Sequence, residues 1–288
     1  MTSTQTTLDP RSPGGPDRGG PAEVARRALN SNIAPIVVAL VVVSVALSFL
    51  TPTFLTAGNL TNIVTQSAVV GIAAIGATFV IITSGIDLSV GSNIAFAGLV
   101  GAIAGQTTGN GFVGILVVLV LAVAVGTFNG LSVAWLRLAP FIVTLAVMGM
   151  ARGLTLQISQ GQSVYGLPPE LNWLGASDIL DVKTSALVTV LLFVIAHFVL
   201  SRTTFGHKVY AVGGNAEAAR LAGINVKRVV FATYVIAGLT AGIAAIILLG
   251  RLDSATPNAA SGTELQVIAA VVIGGTSLMG GRGSVIST

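Results

Sequence analysis

Along Thr83-Ser84-Gly85-Ile86-Asp87-Leu88-Ser89-Val90-Gly91-Ser92-Asn93, an otherwise apolar chain gathers a carboxylate, four hydroxyls, an amide and two glycines. Polar backbone and side chains at membrane depth persist only where protein or water covers them. The stretch therefore reads as a broken or re-entrant helix beside a water-filled cavity. Asp87, between Gly85 and Gly91, is placed to cap the entering helix through the Ser89 and Val90 amides, a favourable position for a carboxylate. Ser89, Ser92, Asn93, Asn129 and Thr144 are polar and uncharged, and Phe141 offers a stacking or gating face. That set suits a neutral, hydroxylated cargo better than an ion.

Arg152 lies about 18 Å along its span at 1.5 Å per residue. A charge at helix centre costs about 2.5–3.5 kcal/mol on insertion scales. Two readings stand for Arg152: a place on a polar path with Gln157 and Gln160, or extension to the outer headgroups. His197, alone on an apolar helix, reads as a packing residue.

A second stretch could do mechanical work. Gly213-Gly214-Asn215-Ala216-Glu217-Ala218-Ala219-Arg220-Leu221-Ala222-Gly223 reads as a turn, an Asn215 N-cap, and a short helix closed by a C-terminal glycine. It sits in the basic island Ser201–Arg228 with Arg202, Lys208, Arg220, Lys227 and Arg228, between long apolar runs. Its Ala-rich face leaves a notch for a partner. A docking helix and an ordinary amphipathic loop helix both fit these residues.

Several chemistries are excluded. A phosphate loop needs Gly-Lys-Ser/Thr at a helix start, whereas Lys183, Lys208 and Lys227 follow Val, His and Val. There is no HExxH, no GxSxG, no metal-ligand cluster and no cysteine, so the chain reads as a conduit whose energy comes from elsewhere, with no bound cofactor.

The elements that must position these residues are membrane spans. Of 288 residues, 53% are hydrophobic and 8% charged, where soluble domains carry about 25% charge. Mean hydropathy is +0.91. The fold class is all-α, a polytopic transmembrane bundle. Spans are expected near Ile33–Leu50, Asn62–Ile82, Leu88–Gly105, Phe112–Trp135, Phe141–Ile158, Ser185–Leu200, Val229–Leu249 and Leu265–Leu278, eight in all. Residues 1–32, rich in Pro, Gly and Ser, read as a disordered cytoplasmic tail, and 33–288 as the membrane domain, with the loop 201–228 cytoplasmic.

With the N-terminus inside, Arg11, Arg18, Arg26, Arg27, Arg137, the five basic residues of the island and Arg282 face the cytoplasm. Only Arg152, Lys183 and Arg251 of the 14 do not, which fixes the orientation. The basic balance is thus a topology signal and does not point to nucleic acid. Glu170, Asp178, Asp181, Asp253 and Glu264 are expected outside. Gly101/Gly105, Gly126/Gly130, Gly149/Gly153 and Gly238/Gly242 form small-xxx-small pairs that favour close helix packing. The last span, broken at Gly274-Gly275 and followed by Gly280-Gly281-Arg282-Gly283-Ser284-Val285, faintly repeats the first break.

Thr83–Ser92, Pro140-Phe141-Ile142-Val143-Thr144-Leu145 with Ala151-Arg152-Gly153, and Ala211-Val212-Gly213-Gly214-Asn215 with Ala218-Ala219 and Gly223-Ile224 resemble the ribose/xylose-type sugar ABC transporter permeases. These permeases belong to a group that includes branched-chain amino acid permeases. The resemblance covers roughly 33–288, and Glu217-Ala218-Ala219 with Gly223 is similar to the EAA coupling loop of ABC importers. It implies a permease subunit in the plasma membrane moving a monosaccharide or similar solute inward. The implied partners are two cytoplasmic ATPase subunits that use the ATP, an extracytoplasmic sugar-binding protein and a second permease copy. ATPase-coupling roles would fall on Gly213, Gly214, Asn215, Glu217, Ala218, Ala219 and Gly223. The family normally has about ten spans, so its pattern continues through about two helices beyond Thr288, which raises the expectation of a truncated or shortened chain. An ion-gradient-driven carrier, resting on Asp87, or a permease for branched-chain amino acids or another small solute, are the competing readings.

The charge bias makes a direct expectation. A reporter fused within Ser201–Arg228 should be cytoplasmic and one near Asn172 extracytoplasmic; impermeant labelling of both from one side would overturn the orientation.

Overall fold

The structure is a computed structural model describing residues 34–179 and 182–288. The tail expected over 1–32, with Arg11, Arg18, Arg26 and Arg27, lies outside the described residues, as does Asp181. The chain divides into two units, Met1–Ser44 and Val45–Thr288. Helix α1 (Ala34–Leu50) is 17 residues of almost wholly apolar sequence.

In the larger unit, α2 (Ala57–Ile82), α3 (Val90–Thr108), α4 (Gly111–Ala134) and α5 (Pro140–Ser159) follow in order. A short helix α6 (Pro169–Ala176) leads to α7 (Thr184–Arg202). Then come α8 (Thr204–Gly214), α9 (Ala216–Leu221), the long α10 (Val226–Leu252) and α11 (Thr263–Ile273). Two small antiparallel pairings close the loops: β1 (Val164–Tyr165) with β4 (Ser254–Ala255), and β2 (Asp178–Ile179) with β3 (Val182–Lys183).

The all-α membrane bundle expected from composition is what forms, and α2, α4, α5, α7 and α10 are long and apolar enough to cross a bilayer. Helix α3 has 19 residues but carries Ser92, Asn93 and Gln106, which lower its hydropathy. Of the eight expected spans, the last is shorter than drawn: α11 stops at Ile273, because the Gly274-Gly275 pair ends it. The third begins at Val90, two residues later than expected, because Asp87–Ser89 belong to the break.

Burial sorts the helices. About three-quarters of the apolar window is covered in α2 (78%) and α10 (72%), against 28% in α4 and α5 and 22% in α7. Helices α2 and α10 therefore form the centre, and the other three present most of their surface outward. Helix α10 packs on α2, α3, α4 and α6. Ile72, Ala77, Ile94, Leu99, Ala122, Ala241, Ala245 and Ile247 share the main apolar core, with many alanines because the helices approach closely.

Glycine sets that approach. A methyl on Gly126 would meet the Tyr234 carbonyl and lie 2.9 Å from the Gly238 α-carbon, and one on Gly238 would lie 2.6 Å from the Ala122 carbonyl. Gly101 and Gly114 are related in the same way between α3 and α4. Three of the four small-residue pairs thus pack inside the bundle. The fourth does not: Gly149 and Gly153 on α5 have nothing within 4 Å of an added methyl.

The difference is measurable. Gly126→Val should destabilise the purified chain by about 1–3 kcal/mol through overpacking, whereas Gly149→Val should change it by less than about 0.5 kcal/mol. Denaturation midpoints in detergent test this, and equal losses for both variants would mean that the α4–α10 contact is not the tight one.

Candidate functional site

Helix α2 ends on local chemistry. The Thr83 hydroxyl donates to the Val80 carbonyl at 2.8 Å, Ser84 takes a left-handed φ of 61°, and the Gly85 amide returns to Val80 O at 3.0 Å. The chain then folds back into the bundle. Asp87 is only 6% exposed and lies inside the break, while Ser84 stays at the surface. The reason is that the carboxylate finds its partners inside: Asp87 Oδ1 accepts the Ser89 amide at 2.8 Å and the Ser89 hydroxyl at 2.6 Å. The capping expected through Ser89 forms; an equivalent bond from Val90 is not among the bonds found for Asp87.

The bond chain continues. Asn129 on α4 donates to Ser89 Oγ at 2.8 Å, and Ser92 donates to Ser89 O at 2.9 Å. Asn93, one turn along α3, donates to the Ala122 carbonyl of α4 at 3.1 Å. Thr144 reaches the same break from α5, donating to Ile86 O at 3.1 Å. Asp87, Ser89, Ser92, Asn93, Asn129 and Thr144 are all buried where α2, α3, α4 and α5 meet.

Phe141 stands apart, 52% exposed on the outer side of α5. Arg152 pairs with backbone carbonyls. Its Nη1 donates to the carbonyls of Pro257 and Ala259, at 2.9 and 3.1 Å, in the segment before α11. Gln157 and Gln160 lie exposed elsewhere. That segment runs down α3 from Gly98 to Gly91, where Glu264 packs against the α3 backbone. Glu264 is therefore not an outer-loop acid: the chain re-enters the bundle after β4 and carries it inward.

Sequence reasoning missed two tyrosines. Tyr234, in mid-α10, is fully buried, and a methyl added to Gly85 would lie 2.8 Å from its hydroxyl. That hydroxyl and the Oδ1 atoms of Asn93 and Asn129 have no hydrogen-bond partner among the described residues. Tyr210 on α8 donates to the Gly283 carbonyl at 2.7 Å. A tyrosine in the middle of an apolar span was the available signal, since a buried phenol seeks a polar neighbour.

In the loop between α7 and α10, Gly213-Gly214 are the last residues of α8, and not the turn expected; the chain bends at Asn215. The Asn215 cap is as expected, its side chain accepting the Glu217 and Ala218 amides at 3.0 and 2.9 Å. Gly223 closes α9 at φ 82°, with Ile224 N bonded to Ala219 O. Ala219 is buried against Ile82, Val209, Val212 and Val285, so it anchors the helix and leaves Glu217, Ala218, Arg220 and Leu221 outward. Glu217 pairs with its own Arg220, whose hydrogen bonds and charge hold the carboxyl below its ordinary pKa. Leu221, 75% exposed on a polar surface, is an apolar knob that sequence reading passed over.

Comparison with known proteins gives one consistent picture. Residues 59–288 match the family described as "Branched-chain amino acid transport system / permease component". The chain is 42% identical over 255 residues to the ribose import permease protein RbsC of Escherichia coli (strain K12), covering 87% of this chain and 79% of that one. It is 41% identical over 259 residues to its counterpart in Bacillus subtilis (strain 168), with 86% and 78% covered. The xylose transport system permease protein XylH of E. coli K12 is 35% identical over 322 residues, with 90% and 82% covered. No solved structure matches.

The Asp87 bonds give a stability test. Asp87→Asn keeps an acceptor for the Ser89 amide and should cost little. Asp87→Leu leaves the buried Ser89 groups unpaired and should cost about 1–3 kcal/mol each. Denaturation midpoints of the purified variants decide it; a Leu variant as stable as wild type would remove the carboxylate's structural role.

Proposed function

As a member of the branched-chain amino acid transport system / permease component family, the chain is an integral membrane permease, and we propose that it is the translocation subunit of an ABC importer for a monosaccharide or similar neutral polyhydroxylated solute. The observation that carries this reading is α9. It is a capped helix of six residues, anchored inward by Ala219 alone, that displays Leu221 and the Glu217–Arg220 pair to the surface. A helix so short is too costly to nucleate to stand alone and gains from being seated in a partner.

The chain has no phosphate-binding loop, so hydrolysis falls to separate ATPase subunits that receive α9 in a cleft. Leu221 supplies the buried apolar contact of that seat. Asn215, Glu217, Ala218, Ala219 and Gly223 form or shape it, and Gly213 and Gly214, at the end of α8, couple it to the bundle. An extracytoplasmic sugar-binding protein delivers the solute, and a second permease copy completes the membrane unit. The N-terminus lies in the cytoplasm, as the basic residues require.

Cargo relevance of Asp87, Ser89, Ser92, Asn93, Asn129 and Thr144 is supported by the polar character of the buried cluster, to which Phe141 and Arg152 do not belong. The open Oδ1 atoms of Asn93 and Asn129 can accept hydroxyl groups if the break loosens during transport. In the state described, Asp87, Ser89 and Thr144 hold the break in shape, and Arg152 holds the re-entrant segment.

The test is co-purification of an ATPase with the chain, followed by ribose-, allose- or xylose-stimulated hydrolysis in proteoliposomes. Gly223→Val should abolish one or both, because a β-branched residue cannot take the left-handed conformation there without strain. Glu217→Ala should leave both near wild type, since the pair it breaks is exposed. If Gly223→Val behaves as wild type, α9 is an ordinary loop helix.

A further inference from the structure

The two breaks in the bundle, though far apart in sequence, are bonded to each other. The Gly281 amide donates to the Ile82 carbonyl at 2.9 Å, and the Ser84 hydroxyl donates to the Met279 carbonyl at 2.9 Å. The end of α8 is pressed into the same point. A methyl on Gly213 would strike the Ile82 carbonyl and come within 2.6 Å of the Gly281 amide nitrogen. A methyl on Gly280 would lie 2.9 Å from the carbonyls of both Gly213 and Ile82. Three residues before Gly213 along α8, the Tyr210 hydroxyl donates to Gly283 O.

The start of α3 meets the start of α11 as well. Gly91, in the first turn of α3, is packed against the Glu264 carboxylate and the Ala260 carbonyl at the start of α11. The contacts therefore close a ring: from the first break to Gly91 in the first turn of α3, across to Glu264, down α11 to the second break, and back through Gly281 to Ile82. Close-packed backbone transmits displacement because it has no slack.

We infer that Tyr210 and Gly213 are positioning residues that carry displacement of α9 into both breaks at once, so that the ring moves as a single body. This rests on the importer reading above, in which α9 is moved by an ATPase. Asn215 alone joins α8 to α9, so a push on α9 reaches Gly213 within two residues. Neither break is driven through the other.

The experiment uses the full chain with its co-purifying ATPase in proteoliposomes, reading ATPase association, hydrolysis, and uptake of labelled ribose, allose or xylose. Gly213→Ala should keep association and hydrolysis while uptake per ATP falls about tenfold, and Tyr210→Phe should lower it about threefold. Gly58→Ala, which meets open space at the start of α2, is the helix-glycine control and should match wild type. Gly213→Ala with wild-type uptake per ATP, or with lost ATPase association, overturns the inference.

The chain has no cysteine, so Ser84→Cys with Met279→Cys can be joined by a short thiol cross-linker. Uptake by that double variant should be unchanged on cross-linking, because the two breaks travel together. Loss of uptake that reduction restores would show that they must separate, and would overturn the ring even if Gly213→Ala fails to insert. A wild-type chain that binds no ATPase would instead sink the importer reading itself.

Discussion

The Ile82 carbonyl accepts from no amide of its own helix, because α2 ends there, and the Gly281 amide donates to it from the other end of the chain. Much else depends on that bond. A backbone that leaves the helix loses its intrahelical partners and must find others. The first break answers with side chains and turn bonds: Thr83, Gly85, Asp87 and Ser89 satisfy nearby groups, and Asn129 and Thr144 reach in from neighbouring helices. The second answers with tight turns, Ser277 bonding Arg282 and Gly280 bonding Ser277. Each break is stable only as part of a larger junction.

The junction in turn constrains the helices around it. Backbones can come close enough to share carbonyls only where side chains are absent, which places Gly213, Gly280 and Gly281 at the contact and Gly126 and Gly238 between α4 and α10. In a lipid setting, apolar burial gives little preference for protein over lipid, so small-residue packing and hydrogen bonds carry the specificity. Helix α10 shows the result: 27 residues long and largely covered, it lays Tyr234 beside the break and Ala241 and Ala245 against the α2–α3 core.

The same arrangement separates roles within the polar residues. Asp87, through Oδ1, Ser89 and Thr144 make bonds that shape the break, whereas Asn93, Asn129 and Tyr234 keep one open polar atom each. Arg152 satisfies carbonyls of a segment that has no helix or sheet of its own, which explains a cation so far along α5. On α9, Ala219 turns inward and Leu221 outward, so the helix presents an apolar knob beside a short acid–base pair.

Local patterns were enough to determine a good part of this protein. Hydropathy and charge fixed a polytopic helical bundle and its expected orientation, because insertion energies depend on composition along single segments. The break at Asp87 and the caps at Asn215 and Gly223 were legible too, since each depends on residues within a turn or two. Tertiary structure alone decided which small-residue pair faces outward, where Arg152 sends its guanidinium, that Glu264 lies against Gly91, and that Ser84 finds its acceptor 195 residues away. Those outcomes depend on which helix faces share a contact. A single helix presents the same glycine stripe or the same arginine whichever neighbour arrives, so nothing along the chain records the choice.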